Sequence, residues 1–500
     1  MIDWGSLAQG VAMFLEWQNL FLIIIGLSFG VVLAAIPGFT GSMGIAIMLP
    51  ITFTMDPLPS LVFLLSIYTG GLYGGAITAI LLNTPGSPAA VATTLDGYAM
   101  TRRGYAAKAL GISVGASTIG GFIGVLVLLV IIQPLASFAL KFGPPEMFLI
   151  AVFGLTIIAS VRGGSFIKSI YAGLFGILLG TIGMTSSGAL RGTFGNVNLI
   201  DGIPMIPALI GLFAVSELFF LLDKDYVASK KMTNINARQI VDGVKTVFHH
   251  PINLIRSSVL GVFIGALPAA GSTVASLVSY NEAKRASKQS DKFGKGSEEG
   301  IIAAESANNA SEGGALATLL VLGIPGSAST AMLLGAIIMQ GWVPGPRLFI
   351  DHSDVLYGVI FSELIQEILL LFVGGTFAIL ASRVVNVPTR ILIPIITIFA
   401  IIGSFAVRIS IFDAFLVFIF GVIGWYLRKN DYPTIAVVLG LILGPIADQE
   451  LARTVQLFGD ETLSAFVQRP ISLAILIITV LGIVLSSFFH KKQKSLKAQS

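Results

Sequence analysis

Two stretches of the sequence decide the fold: residues 73–89 read YGGAITAILLNTPGSPA, and residues 312–329 read EGGALATLLVLGIPGSAS. Each contains a Gly-Gly pair, an apolar run with a single threonine, and then Pro-Gly-Ser. Proline removes a backbone donor and clashes with the preceding helical turn, while glycine permits unwound geometry. We therefore expect an apolar helix to break at Pro85 and another at Pro325.

A looser pair of matches precedes these stretches, in the same order along the chain. Residues 36–42 read IPGFTGS, and residues 267–272 read LPAAGS. Two matches in the same order predict an internal repeat, with a long polar stretch between its copies. The predicted organisation is a first repeat half at 1–222, a polar cytoplasmic linker at 223–256, a second repeat half at 257–489 and a basic cytoplasmic tail at 490–500.

The composition excludes a soluble globular protein. Hydrophobic residues make up 55% of the chain and charged residues 11%, whereas charged residues are about 25% of an ordinary soluble domain. The apolar runs predict an all-α polytopic membrane protein with about 12 transmembrane segments plus re-entrant hairpins. In such a chain the net charge of +4 reflects membrane topology, so no nucleic-acid partner is expected.

The helix breaks are the predicted binding site. An interrupted backbone is tolerated in the membrane only where it is buried in protein or lines a watery cavity, and repeated breaks mark transporter sites near the midplane. Free N–H groups at helix starts attract anions, and nearby hydroxyls can donate to a carboxylate. The predicted substrate-binding residues are Thr40, Ser42, Asn83, Thr84, Pro85, Gly86, Ser87, Ser272, Gly326, Ser327 and Ser329. The alternative is that these small residues only pack helix interfaces.

The stretch ESANNASEGG at residues 305–314 places two carboxylates and two amides between apolar flanks. Such groups are costly at membrane depth and indicate function. Glu305, Asn308 and Asn309 are the predicted cation-binding residues, and Glu312 is a further candidate. Both Na⁺ bound by oxygen ligands and H⁺ carried by a carboxyl group fit as the coupling ion; no cofactor and no other metal are expected. If this stretch lies at the cytoplasmic rim, the carboxylates are ordinary interface charges.

Catalysis is not expected, because the chain has no cysteine and its four histidines form no HExxH pair. A channel is the other alternative, since glycine-rich hairpins also line pores. However, no repeated motif that would form a selectivity filter is evident.

Several long stretches resemble the large membrane subunit of the bacterial tripartite tricarboxylate transporters, the TctA family. They are residues 73–111, the run FGKGSEEG at 293–300, AAESANNASEGGAL at 303–316 and LGIPGSASTAMLLGAIIMQGWVPGP at 322–346. The hydrophobic layout agrees over almost the whole chain. One departure is the sequence Pro-Ala-Ala-Gly at 268–271, where the family pattern has Pro-Gly-x-Gly.

The resemblance implies a multi-pass secondary transporter of the bacterial inner membrane with two inverted repeats and alternating access. It implies two partners, a small membrane subunit of about four helices and a periplasmic solute-binding protein. The substrate would be a tricarboxylate such as citrate or a related organic carboxylate, imported by cation symport. The alternative function is an anion channel or a carrier for a non-carboxylate anion.

Overall fold

The computed structural model describes residues 4–36, 38–161, 166–185, 188–222, 236–268, 270–384 and 389–481. The described chain is helical apart from loops and one short antiparallel pair, β1 (Gly183–Met184) with β2 (Leu190–Arg191). The helices of the first half are α1 (Trp4–Phe14), α2 (Trp17–Ala34), α3 (Gly41–Met48), α4 (Pro57–Leu82), α5 (Val91–Arg102), α6 (Ala106–Ala139), α7 (Pro144–Val161), α8 (Phe166–Gly180), α9 (Met205–Ile210) and α10 (Ser216–Leu221).

The second half continues in the same way. Its helices are α11 (Ala237–Val247), α12 (Pro251–Gly265), α13 (Gly271–Ala286), α14 (Glu298–Leu322), α15 (Ala328–Met339), α16 (Leu348–Asp351), α17 (Ser353–Val384), α18 (Thr389–Arg408), α19 (Ile411–Lys429), α20 (Thr434–Phe458), α21 (Thr462–Gln468) and α22 (Pro470–Leu481). A π-helical turn, Gly211–Val215, joins α9 to α10, and a 3₁₀ turn, Pro88–Ala90, leads into α5.

The prediction of an all-α polytopic membrane protein is confirmed. Among the described residues, six helices are long and apolar enough to cross a bilayer, and seven shorter apolar helices accompany them. The whole candidate span of α4 is buried inside the protein, whereas only 33% of that of α6 is. Helix α4 is therefore a central element and α6 has a face for lipid or a partner. The number of about 12 transmembrane segments stays a prediction.

Helices end at each predicted break. Asn83 caps the end of α4 and Gly323 caps the end of α14, and both residues have left-handed backbone angles, with φ of 58° and 68°. The chain then runs through Pro-Gly-Ser into the turn before α5 or into α15. The two earlier breaks separate α2 from α3 and α12 from α13; Pro37 and Ala269 within them lie outside the described residues.

The helices around these breaks have the same neighbours in both halves. Helix α2 packs on α4 as α12 packs on α14, and the short helices α3 and α13 pack on α4 and α14 respectively. One glycine of each Gly-Gly pair meets the preceding long helix, Gly74 against Val31 and Gly314 against Val262. The inverted relation of the two halves stays a prediction.

The predicted linker at 223–256 is described only from residue 236 onward. Helix α11 lies within it and packs on α6, where Gly243 and Gly111 approach closely. Helix α12 already begins at Pro251. The predicted basic tail at 490–500 lies outside the described residues.

Asp96 of α5, in the first half, forms hydrogen bonds with residues of the second half. Its carboxylate accepts hydrogen bonds from the backbone N–H groups of Gly296 and Ser297, both at 2.7 Å, and from the Tyr280 hydroxyl at 2.9 Å. The side chain is fully buried. Burial raises the pKa of the Asp96 carboxyl group, and the hydrogen bonds that it accepts offset only part of this shift. Asp96 therefore positions the start of α14 against α5.

We expect Asp96→Ala to lower the free energy of unfolding by about 3 kcal/mol or more, because two buried donors and one partly buried donor lose their acceptor. Thermal unfolding of the purified protein measures this loss. Asp291→Ala, which removes an exposed acid of the neighbouring turn, serves as the control. Equal melting temperatures for the two variants would contradict the assigned role of Asp96.

Candidate functional site

Four segments that follow helix breaks start around a single cavity of about 270 Å³. They are the start of α3, the turn before α5, the start of α13 and the start of α15. Helix α4 and residues of the α9–α10 and α19–α20 regions close the remaining sides. The breaks of both predicted repeats therefore meet in one place.

Two of the hydroxyl groups that line this cavity also cap helices that start there. The Thr40 hydroxyl caps α3 by accepting from the Met43 N–H at 3.4 Å, and it lies 2.8 Å from the Ser42 hydroxyl. The Ser327 hydroxyl caps α15 by accepting from the Thr330 N–H at 3.2 Å. Thr40 and Ser327 thus stabilise helix starts and present hydroxyl groups to the cavity at the same time.

The helix starts give the cavity a positive potential. Helices α3, α13 and α15 all present their N-terminal ends to it, and each end carries free N–H donors and roughly half a positive charge. The first residue of α13, Gly271, has a φ of +55°, a conformation that suits glycine. Converging helix starts of this kind suit an anion.

An ion pair borders the same cavity. Arg428, near the end of α19, pairs with Glu217 of α10, and its guanidinium lies 5.0 Å from the ring centroid of Phe220. The Arg428 side chain is 36% exposed, whereas that of Glu217 is 7% exposed. Of the described residues that line the cavity, these two carry the charges. The guanidinium can therefore meet a bound anion while Glu217 holds it in position.

Six of the predicted substrate-binding residues line the cavity: Thr40, Ser42, Ser87, Ser272, Ser327 and Ser329. They come from four segments of the chain, and the Tyr68 hydroxyl lies 3.3 Å from that of Ser327. Their part in substrate binding stays a prediction.

The other five, Asn83, Thr84, Pro85, Gly86 and Gly326, are not among the lining residues. Asn83 and Thr84 are exposed, and the Gly86 N–H donates to the Gly75 carbonyl at 3.1 Å. These residues shape the turns that carry Ser87 and Ser327 to the cavity.

Glu305, a predicted cation-binding residue, lies in α14 apart from the cavity lining. Its carboxylate accepts from the Thr93 hydroxyl and from the Ser117 hydroxyl at 3.0 Å. Glu305 and Glu312 are both fully buried within the protein. Such burial is not typical of ordinary interface charges, and the depth of this stretch in the membrane stays a prediction.

Asn308 and Asn309 are also fully buried in α14. Each uses its amide nitrogen, Asn308 toward the Leu72 carbonyl at 3.0 Å and Asn309 toward the Glu305 carbonyl at 3.1 Å. Their side-chain oxygens have no hydrogen-bond partner among the described residues. These oxygens are available to accept a hydrogen bond or to bind a cation.

Sequence reasoning missed two groups of residues. Arg428, Glu217 and Tyr68 border the cavity, and Glu363 and Glu367 of α17 are fully buried. No motif marks the first group. The second had a visible signal, because two glutamates four residues apart occur inside the apolar stretch of a long helix.

Comparisons with known proteins give one family. The sequence profile described as Tripartite tricarboxylate transporter TctA family matches residues 20–439. The chain is 34% identical over 491 residues to a protein of Agrobacterium vitis described as "Uncharacterized 52.8 kDa protein in TAR-I ttuC' 3'region", covering 96% of both chains. A second protein of that organism, "Uncharacterized protein in TAR-II ttuC' 3'region", is 34% identical over 227 residues, which are 45% of this chain and 93% of that protein. No solved structure matches the chain significantly.

Proposed function

The chain belongs to the Tripartite tricarboxylate transporter TctA family, and from this premise we propose that it imports an organic carboxylate by cation symport with alternating access. Its proposed partners are a small membrane subunit and a periplasmic binding protein that delivers the substrate, and its proposed location is the bacterial inner membrane. A transport role is not enzymatic, so no catalytic residue is assigned.

The observation that carries the proposal is the cavity at which the helix breaks of both halves meet. Helix starts, hydroxyl groups and Arg428 surround it, and each of these groups binds carboxylate oxygens well. The volume of about 270 Å³ suits a small organic anion better than a drug-sized ligand. A site between two halves is also where alternating access exposes a substrate to either side of the membrane.

Uptake into vesicles tests the proposal. Vesicles holding this chain with the small subunit are given labelled citrate or another carboxylate, with and without the binding protein, under separate Na⁺ and H⁺ gradients. Accumulation that depends on the binding protein supports the proposal. Absence of accumulation for every carboxylate under both gradients contradicts it.

Counterflow separates a carrier from the alternative of an anion channel. Vesicles preloaded with unlabelled substrate should transiently concentrate the labelled form, because a carrier exchanges substrate through one saturable site. Passive equilibration alone would favour the channel.

We expect Ser327→Ala to reduce uptake at least tenfold, since a lost hydrogen bond to a charged ligand costs roughly 1.5 to 3 kcal/mol. Ser327 also caps α15, so Ser329→Ala, which removes a lining hydroxyl that does not cap the helix, is measured beside it. Ser464→Ala, at an exposed hydroxyl of α21, is the control. Wild-type uptake in both cavity variants, at normal membrane levels, would exclude these hydroxyls from the site.

A further inference from the structure

Three carboxyl groups lie together in the protein interior, away from the cavity lining. They are Glu312 of α14 and, one helical turn apart on α17, Glu363 and Glu367. They are called here the inner acidic cluster, and each is fully buried. Thr69 of α4 joins two of them, since its hydroxyl lies 3.1 Å from Glu312 Oε1 and 3.4 Å from Glu363 Oε2. Helices α4, α14 and α17 thus meet at this cluster.

The Thr69 hydroxyl cannot donate a hydrogen bond to every acceptor oxygen around it. Its hydroxyl is surrounded by four acceptor oxygens, because the carbonyl of Leu65 lies at 3.1 Å and Gln366 Oε1 at 3.3 Å in addition to the two glutamates. A hydroxyl donates one hydrogen and has two lone pairs. Once the Thr69 hydrogen is donated to one of these four oxygens, the hydroxyl can only accept hydrogen bonds from the others. A carboxyl oxygen can donate such a bond only if the carboxyl group is protonated.

A second observation also indicates that these carboxyl groups are protonated. Four further oxygens of the cluster are buried without any hydrogen-bond partner among the described residues: Glu312 Oε2, Glu363 Oε1 and both carboxyl oxygens of Glu367. No lysine, arginine or histidine in the described part of the chain forms an ion pair with these three glutamates. Unpaired carboxylates of like charge in a protein interior are strongly disfavoured, whereas the protonated acids are tolerated.

The surrounding helices supply no compensating charge. Helices α1 and α2 carry no titratable side chain, and α6 carries only Lys108, which pairs with Glu298 at 2.5 Å. The titratable groups of α4 are Tyr68 and Tyr73. Several charged groups of α14 and of the helices that pack on it bond elsewhere: Glu305 to Thr93 and Ser117, Asp96 to Gly296, Ser297 and Tyr280, Arg256 to Asn253, and Arg285 to Glu282.

Helix α4 connects the cluster to the cavity. Tyr68 lines the cavity and contacts Ser327, while the next residue, Thr69, contacts the cluster. Leu72 also lines the cavity, and its carbonyl accepts from Asn308 of α14. This short segment of α4 therefore contacts both the cavity and the inner acidic cluster.

We propose that Glu312, Glu363 and Glu367 form a proton-binding site that couples proton movement to carboxylate transport through α4. The coupling part rests on the proposed function; the proton-binding part does not. A proton taken up by a carboxylate from one side of the membrane is released as the acid ionises toward the other side, so no other reactant is consumed.

Infrared titration tests the proton-binding part without any substrate. The purified full chain is titrated across neutral pH, and the carbonyl stretch of protonated carboxyl groups is recorded for the wild type, Glu363→Gln, Glu367→Gln and the control Glu461→Gln, at an exposed glutamate. We expect a protonated-carboxyl band at neutral pH that weakens in both cluster variants and persists in the control. A wild type without this band at neutral pH overturns the proposal.

Transport in vesicles tests the coupling part. Glutamine mimics a permanently protonated glutamate, so Glu363→Gln should lose at least tenfold in accumulation driven by a pH gradient while its counterflow stays within about twofold of the wild type. If the wild type accumulates substrate only with a Na⁺ gradient, and Glu363→Gln does so equally well, proton coupling is overturned. If the wild type transports no carboxylate at all, the proposed function fails while the infrared result still decides the proton site.

Discussion

Arg428→Gln is expected to raise the substrate concentration for half-maximal uptake roughly tenfold to a hundredfold. The guanidinium is the cationic group among the described lining residues, and a lost hydrogen bond between charged groups costs roughly 1.5 to 3 kcal/mol. The change also leaves Glu217, only 7% exposed, as an uncompensated negative charge beside an anionic substrate. Initial uptake rates over a range of carboxylate concentrations measure the effect.

A double mutant separates substrate binding from simple structural pairing. Lys429→Gln removes the neighbouring cation, which does not line the cavity, and should leave the half-saturating concentration unchanged. Adding Glu217→Gln to Arg428→Gln removes the repelling charge and should recover part of the affinity. If Arg428→Gln lowers only the protein level in the membrane, the guanidinium is a structural partner of Glu217 and does not contact the substrate.

The helix breaks could be predicted because their causes are local. Proline and glycine act on the turn in which they occur, so Pro85 and Pro325 reveal an interruption without any knowledge of the tertiary structure. The hydroxyls that follow a break were predictable for the same reason: the residue that caps the next helix is usually Ser, Thr, Asp or Asn. Thr40 and Ser327 show this directly.

Prediction was less precise where a turn residue has a purely backbone role. Asn83 has the left-handed conformation that ends α4, a position that asparagine tolerates better than most residues. In sequence it is indistinguishable from an amide placed to bind a ligand. Its neighbours Thr84 and Gly86 follow the same turn, and the structure places none of the three in the cavity lining.

The charged partners required the tertiary structure. Arg428 and Glu217 lie on different helices far apart in the chain, and no sequence spacing relates them. The same holds for Glu312 and Glu363, which come together only because α14 and α17 both pack on α4. The sequence still indicates a functional role for such residues, because carboxylates inside an apolar helix are rare unless they have a function.

Gly75→Val is expected to abolish uptake and to lower the melting temperature of the purified protein. A Cβ atom at Gly75 would lie 2.6 Å from the Ser87 hydroxyl and 2.9 Å from the Ser87 backbone nitrogen. On the same turn, the Gly75 carbonyl accepts from the Gly86 N–H. Because this part of α4 is completely buried, the hairpin must move away, and Ser87 leaves the cavity with it.

Overpacking of this kind typically costs 1–3 kcal/mol of stability. The larger effect here is on the cavity, because the Ser87 turn is displaced from the starts of α3, α13 and α15. Gly75→Ala should give an intermediate loss because it adds the clashing Cβ atom without the two methyl groups of valine. Gly173→Val in α8, where a Cβ atom meets nothing within 4 Å, controls for the cost of a β-branched residue in a helix. Should Gly75→Val transport as well as Gly173→Val, the close contact between α4 and the Ser87 turn would not be needed to build the site.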